Sequence, residues 1–231
     1  VYTSKDASYI QARAIKTGTH KLHPFYQKIV DWANQKFGVC VLDFMCYTKQ
    51  TSVGYKQQAV ILNVETIADC QRLENPEIRS FLDQIFLCIL TSPEWAAQEH
   101  DVIKKDFWST DIVPYPELFV AFHSLEGVEV SNAKKKVGER MEILGANYPD
   151  LIWNITGMSG YEFPIVFFYT DEALNKAHQD GTVKAIEKIY LQELKKHDEF
   201  NYFGEHSVSL RFDSKESFDR DFSGNWHYYF Q

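Results

Sequence analysis

The chain lacks any long apolar run: none of its windows approaches the roughly 20 residues that a helix needs to span a bilayer. The longest greasy stretch, 85–90, reads as a buried helical turn, and no membrane partner is expected. No secretory leader pattern is visible either. Because Val1 rather than Met stands first, the reading leaves room for a leader removed ahead of it. Cationic residues are in deficit, with 24 Lys and Arg against 32 Asp and Glu and a net charge of −8. That balance argues against nucleic acid as a partner, since binding a phosphate backbone takes clustered Lys and Arg. The one basic run, 134–136, is short and reads as a solvated helix face.

Cysteine is scarce and unpatterned. Cys40, Cys46, Cys70 and Cys88 form no C-x-x-C pair. The first two sit about 20 Å apart along an extended strand, too far to bond each other. All four have apolar neighbours, so buried free thiols in a reducing cytoplasm are expected. The short catalytic signatures are missing as well: no G-x-S-x-G, H-E-x-x-H, P-loop or G-x-G-x-x-G occurs. Ser159, between Gly157 and Gly160, lies between two predicted strands, and a nucleophile elbow needs a strand followed by a helix. A hairpin turn is the expectation there.

Three histidine arrangements have a spacing that bears on a site. His20 and His23 have H-x-x-H spacing, but they precede the helix-starting Pro24 and have no helpful acidic neighbour. Loop histidines, and no metal site, are expected. The adjacent pairs His100-Asp101 and His197-Asp198 point to different faces of a helix. His197, beside Lys195 and Lys196, suits the negative end of a helix. No cofactor is expected.

What the chain does have is an ordinary globular composition, 45% hydrophobic and 24% charged, with 15% aromatics that can build a core or face a partner. The first twenty residues show no clean periodicity and read as a loose arm. Pro24 opens a helix with Phe25, Ile29, Trp32, Ala33 and Phe37 on one stripe, ended by Gly38. A strand over 39–47 places Cys40, Leu42, Phe44 and Cys46 on one face and Val39, Val41, Asp43 and Met45 on the other. A connection around Gly54 leads to a strand over 58–64, then a short helix over 65–72. The helix predicted over 77–90 is apolar nearly all round, which predicts deep burial. Ser92-Pro93-Glu94 starts another helix, to about Phe107. Beyond Pro114 and Pro116 comes a strand over 117–123.

The remainder repeats that order: a helix over 133–144, strands over 151–156 and 163–169, a helix over 172–177 capped by Thr170, a helix over 182–196, and a strand over 206–212. A last strand is predicted over 226–230. The third strand of each half ends in F-x-S-x-E, Phe122 to Glu126 and Phe212 to Glu216, where Ser caps a following helix. The fold class read from this is α+β: two similar α-β-β-α-β halves, an internal duplication, with mostly antiparallel sheets packed on helices. Residues 1–126 form the first half, with an extra helix near 92–107, and 127–231 form the second.

Antiparallel sheets commonly leave one face in water. The faces expected there carry Asp43, Asn63 and His123 in the first half. In the second they carry Asn154, Thr156, Ser207, Ser209, Arg211 and His227. Asp43 is weighed as an isolated catalytic carboxylate. Trp226 and Tyr228, in the aromatic C-terminal tract, are the anchor types enriched at interfaces. Asp43, Asn63, His123, Ser209, Arg211, Trp226 and Tyr228 are therefore the candidate partner surface. The favoured function is a non-enzymatic, protein-binding module, of the inhibitor or immunity type, that neutralises a basic partner. It would act as a monomer or a homodimer. The alternative is an enzyme or small-ligand binder working from the polar sheet face, in a cleft between the halves.

Overall fold

A computed structural model describes residues 3–50, 56–94, 118–158, 163–204, 207–208 and 210–231. The chain divides into two compact units, 1–128 and 129–231. Among the described residues the elements are mixed α and β, with two separate three-stranded sheets.

The first unit opens with α1 (Ala7–Lys16) where a loose arm was expected. Tyr9 and Ala12, three positions apart, are buried on one side of it. Helix α2 (Pro24–Phe37) begins with Pro at its first position, and the His23 side chain accepts a hydrogen bond from the Phe25 N–H at 3.3 Å. His23 is thus a capping residue. Gly38 ends α2 at φ 62°, the left-handed conformation that glycine adopts without a Cβ penalty. Strands β1 (Val41–Gln50) and β2 (Lys56–Val64) pair antiparallel, while β3 (Phe119–Ser124) pairs parallel to β2. Between β2 and β3 the chain passes through α3 (Ile67–Leu73) and α4 (Pro76–Leu90), a connection long enough to return the strand in the same direction.

The second unit repeats this arrangement. Helices α5 (Leu125–Gly138) and α6 (Glu142–Asn147) lead to β4 (Ile152–Met158) and β5 (Phe163–Phe168), an antiparallel pair. Helices α7 (Asp171–Asp180) and α8 (Thr182–Lys195) lead to β6 (Arg211–Ser214), which is parallel to β5. The chain closes with α9 (Lys215–Phe222) and α10 (Trp226–Tyr229). Each sheet therefore has one antiparallel and one parallel pairing, which corrects the expected mostly antiparallel class. The predicted strand over 226–230 is also corrected. Asn225 caps a helical turn there through the His227 N–H at 2.9 Å, and Trp226 stacks on Phe230 four positions on.

The first strand of each sheet carries an irregularity at the same place, between Val41 and Asp43 and between Ile152 and Asn154. The extra residue shifts the alternation, so Val41 joins Phe44 and Cys46 in the core instead of sharing a face with Asp43. That core also holds Val60, Leu62 and Val64 of β2, Ile29, Val30 and Ala33 of α2, and Leu82, Phe86 and Leu90 of α4. In the second unit Ile152, Val166 and Phe168 pack against Ala177, Val183 and Ile186. The opposite sheet face holds Ile165 and Phe167 with Phe218 and Tyr229, and Trp153, Phe222 and Trp226 pack around them.

The F-x-S-x-E segments do more than cap. Ser124 Oγ accepts from the Gly127 N–H at 3.1 Å, and Ser214 Oγ from the Ser217 N–H at 2.9 Å. Each glutamate then reaches sideways: Glu126 accepts from the Ile67 N–H at 2.8 Å and Glu216 from the Asp171 N–H at 3.0 Å. Those are the first residues of α3 and α7, whose N–H groups have no acceptor within their own helix. Thr66 and Thr170 cap the same two helices through the Asp69 and Ala173 N–H groups.

Candidate functional site

The sequence-derived polar set of the first unit is brought together. Asp43 pairs with Asn63 across β1 and β2, and Asn63 pairs with His123 across β2 and β3, so the three form one lateral row. Two of its three members are closed off from water. Helix α1 packs against β1 and β2, and Asp43 and Asn63 are fully buried. Asp43 accepts from Gln11 of α1 at 3.1 Å and from Asn63 at 3.3 Å. Burial pushes its carboxyl up to about 6, against the pull of the Phe44 N–H, those two amides and nearby His20. His123 is half-buried, and loss of hydration lowers its pKa, with Asp6 opposing. A buried carboxylate held by two amides anchors a helix to a sheet, and no substrate atom reaches it.

In the second unit Arg211 is exposed, with its guanidinium 5.4 Å from the Tyr229 ring centroid. The Tyr229 hydroxyl donates to Asp213 at 2.6 Å. Trp226 stacks on Phe218 at 4.2 Å and on Trp153 at 6.1 Å, so it fastens α10 to the sheet. Tyr228, by contrast, is 57% exposed. Ser209 lies outside the described residues, as does the predicted helix to Phe107 beyond Glu94. The thiols also differ from expectation. Cys46 is buried and Cys70 intermediate, but Cys40 and Cys88 are exposed, and all four are free. Among the described residues no group of three or more His, Cys, Asp or Glu is placed to hold a metal ion.

The feature that sequence reasoning missed is a groove between α2 and α4. Helix α4 buries only one side, through Leu82, Phe86 and Leu90. Another side faces a groove of about 550 Å³, walled by Phe25, Ile29 and Trp32 of α2 and by Phe81, Ile85 and Ile89 of α4. Phe81 remains 39% exposed although its ring meets Trp32 at 6.4 Å and Phe37 at 6.3 Å. Lys28 and Lys36 stand at the rim, with the Lys36 ammonium 5.8 Å from the Phe81 ring centroid. The available signal was the all-round apolar character of 77–90. A helix with more apolar surface than one sheet face can cover has a second surface to bury. A smaller and more polar hollow of about 430 Å³ lies in the second unit beside Glu139, Glu142, Trp153 and Asn154.

Compared with models of known families, with curated proteins and with solved structures, the chain matches none. No helix among the described residues is long and apolar enough to cross a membrane.

Proposed function

We propose that the protein is a non-enzymatic protein-binding module whose docking surface is the α2–α4 groove of the first unit. The observation that supports this is the groove itself. Large apolar side chains from two helices line a groove in which Phe81, although it meets Trp32 and Phe37, stays 39% exposed, and exposed contiguous apolar surface marks interaction sites. The inhibitor or immunity version, with a basic partner, rests on the net charge of −8 alone. The lysines on the groove rim favour a different local complement. Action on a substrate at Asp43 or Asn63 finds no support, because α1 lies over them. Four free thiols, two of them exposed, fit a reducing cytoplasm.

We further propose that the two units descend from one duplicated α-β-β-α-β segment. The same strand order, the same irregularity in the first strand and the same glutamate brace support it.

The docking reading is tested with a photo-cross-linking residue in place of Ser92, on the groove wall. The expected result is one dominant cross-linked protein from the source cells, lost when Ile85→Glu charges the groove. Cross-links that persist in Ile85→Glu, or a chain that captures no protein yet gains thermal stability from metabolites, would overturn it.

A further inference from the structure

We propose that the α2–α4 groove receives an acidic amphipathic helix of about three turns, an assignment that rests on the docking reading above. Its apolar stripe would lie on Trp32, Phe81 and Ile85, and its carboxylates on Lys28 and Lys36.

The geometry sets the occupant's length and shape. The α2 wall runs from Phe25 to Lys36 and the α4 wall from Phe81 to Ser92. The α2 wall covers twelve positions, about 16 Å of helix or three turns, and the α4 wall runs on to Ser92 just past the end of that helix at Leu90. The wall positions on α2 (25, 28, 29, 32, 36) and within α4 (81, 85, 88, 89) follow the three-and-four spacing of a single helical stripe. Two stripes of this kind flanking one groove can accept a third helix whose side chains at i, i+3, i+4 and i+7 enter it. A small-molecule site would bury some 70–90% of its ligand. Phe81 at 39% exposed, with exposed Lys28, Lys36 and Cys88 beside it, marks this as a surface groove, which suits an occupant that keeps one face in water.

The charge sets its chemistry. Lys28 and Lys36 are both exposed and stand eight positions apart on the α2 side, about 12 Å along the axis. Acidic residues seven or eight apart on one flank of the incoming helix would meet both. The α4 rim contributes Cys88 and Ser92, which carry no such preference. The flank facing α2 therefore fixes which way round the helix lies. The ammonium of Lys36 already sits by the Phe81 ring at 5.8 Å, so this cation is held at the apolar edge where a carboxylate would arrive. Asp31, three positions from Lys28, is engaged by the Gln27 amide, and negative charge beyond the screening length of about 8 Å acts weakly there.

The test uses the full chain and a displayed library of random sixteen-residue helical peptides. Enriched peptides are expected to share an apolar i, i+3, i+4, i+7 stripe with Asp or Glu seven or eight apart on one flank. In fluorescence anisotropy they should bind the native chain roughly tenfold tighter than Lys28→Glu/Lys36→Glu. Peptides with those acids changed to Lys should prefer the double variant by a similar factor. Both lysines are exposed, so the variant should fold, and circular dichroism checks this. Peptides that lose binding in Ile85→Glu but ignore the lysine reversal would overturn the acidic helix while leaving the docking surface standing. Peptides insensitive to Ile85→Glu would overturn both. A light-scattering mass of two chains that falls to one in Ile85→Glu would assign the groove to a second copy and overturn the proposal.

Discussion

Replacing Asp43 with Asn should change how stability depends on pH, and the sign is fixed by where the carboxyl sits. An ordinary aspartate titrates near 3.8, and burial between α1 and the sheet raises Asp43 to about 6. The folded chain therefore holds this proton over a range where the unfolded chain has released it. Stability contributed by the group is full below about 3.8, falls as pH rises toward 6, and is lost above that. The gap corresponds to about 3 kcal/mol. That is an upper figure, because a charged Asp43 can draw closer to Gln11 and Asn63. Asn keeps the shape and cannot ionise, and the Gln11 amide can rotate to offer its oxygen. Urea denaturation of both chains at several pH values from 4 to 7.5 isolates the effect, because the other carboxylates cancel in the difference. Asp171 and Asp221, held low by bonds to Ser214 and Arg220, pull the opposite way in both chains. Relative to the native chain, Asp43→Asn should gain about 1–3 kcal/mol between pH 4 and pH 7. A difference that stays flat over this range, or that moves against Asn as pH rises, refutes the reasoning.

Glu126→Gln and Glu216→Gln should each cost about 1 kcal/mol in chemical denaturation, since each removes a charge-assisted bond to the first N–H of a helix. Equal costs would fit equivalent roles in the two units, and a cost in one alone would count against the duplication. Phe218→Ala should cost about 3–5 kcal/mol and abolish much of the near-ultraviolet circular dichroism. Phe218 is 2% exposed and packs on Trp153, Phe167, Trp226 and Tyr229. Gly181→Ala should cost about 1 kcal/mol through backbone conformation alone: the residue sits at φ 87° with nothing within 4 Å of an added Cβ. In the native chain Cys88 should react with a thiol reagent before Cys40, whose thiol is pushed up to about 11 by burial and by its bond to Glu65. Mass spectrometry of the labelled chain reads the order directly.

The elements most legible in the sequence were those with local punctuation. Pro24 and Gly38 bracket α2, and Thr170 and Gly181 bracket α7, so cap chemistry and periodicity point the same way. Strand direction was harder to read. Alternation of side chains is the same in a parallel strand and an antiparallel one, and only the length of the passage through α3 and α4 bears on it. The irregularities in β1 and β4 were invisible because one added residue leaves composition unchanged while moving Val41 to the other face. At the C-terminus the run from Trp226 to Phe230 has the aromatic content of a strand. Contacts at i+3 and i+4, Trp226 with Tyr229 and with Phe230, hold it as a helical turn instead. Helix α1 went unread because its buried side is small, Tyr9, Ala12 and Ser8, with polar residues between them.

The two kinds of candidate site differ in how a sequence can express them. Asp43, Asn63 and His123 were assigned to one sheet face by strand alternation, and strand pairing places them in one row. Whether such a row faces water depends on what lies over it. Helix α1 comes from a segment more than twenty residues upstream and delivers Gln11 to the carboxylate. A buried pair such as Asp43 and Asn63, hydrogen-bonded to each other and to Gln11 of the helix over them, has little left to offer a ligand. The groove is the reverse case. Its residues were visible as apolar positions and were assigned to a core, because hydrophobic spacing identifies a surface to be buried without saying what buries it. In α4 the supply of apolar side chains exceeds what one sheet face can cover. Phe81 and Ile85 belong to that excess, and under the docking proposal an excess of that kind is where an interaction surface is legible in the sequence.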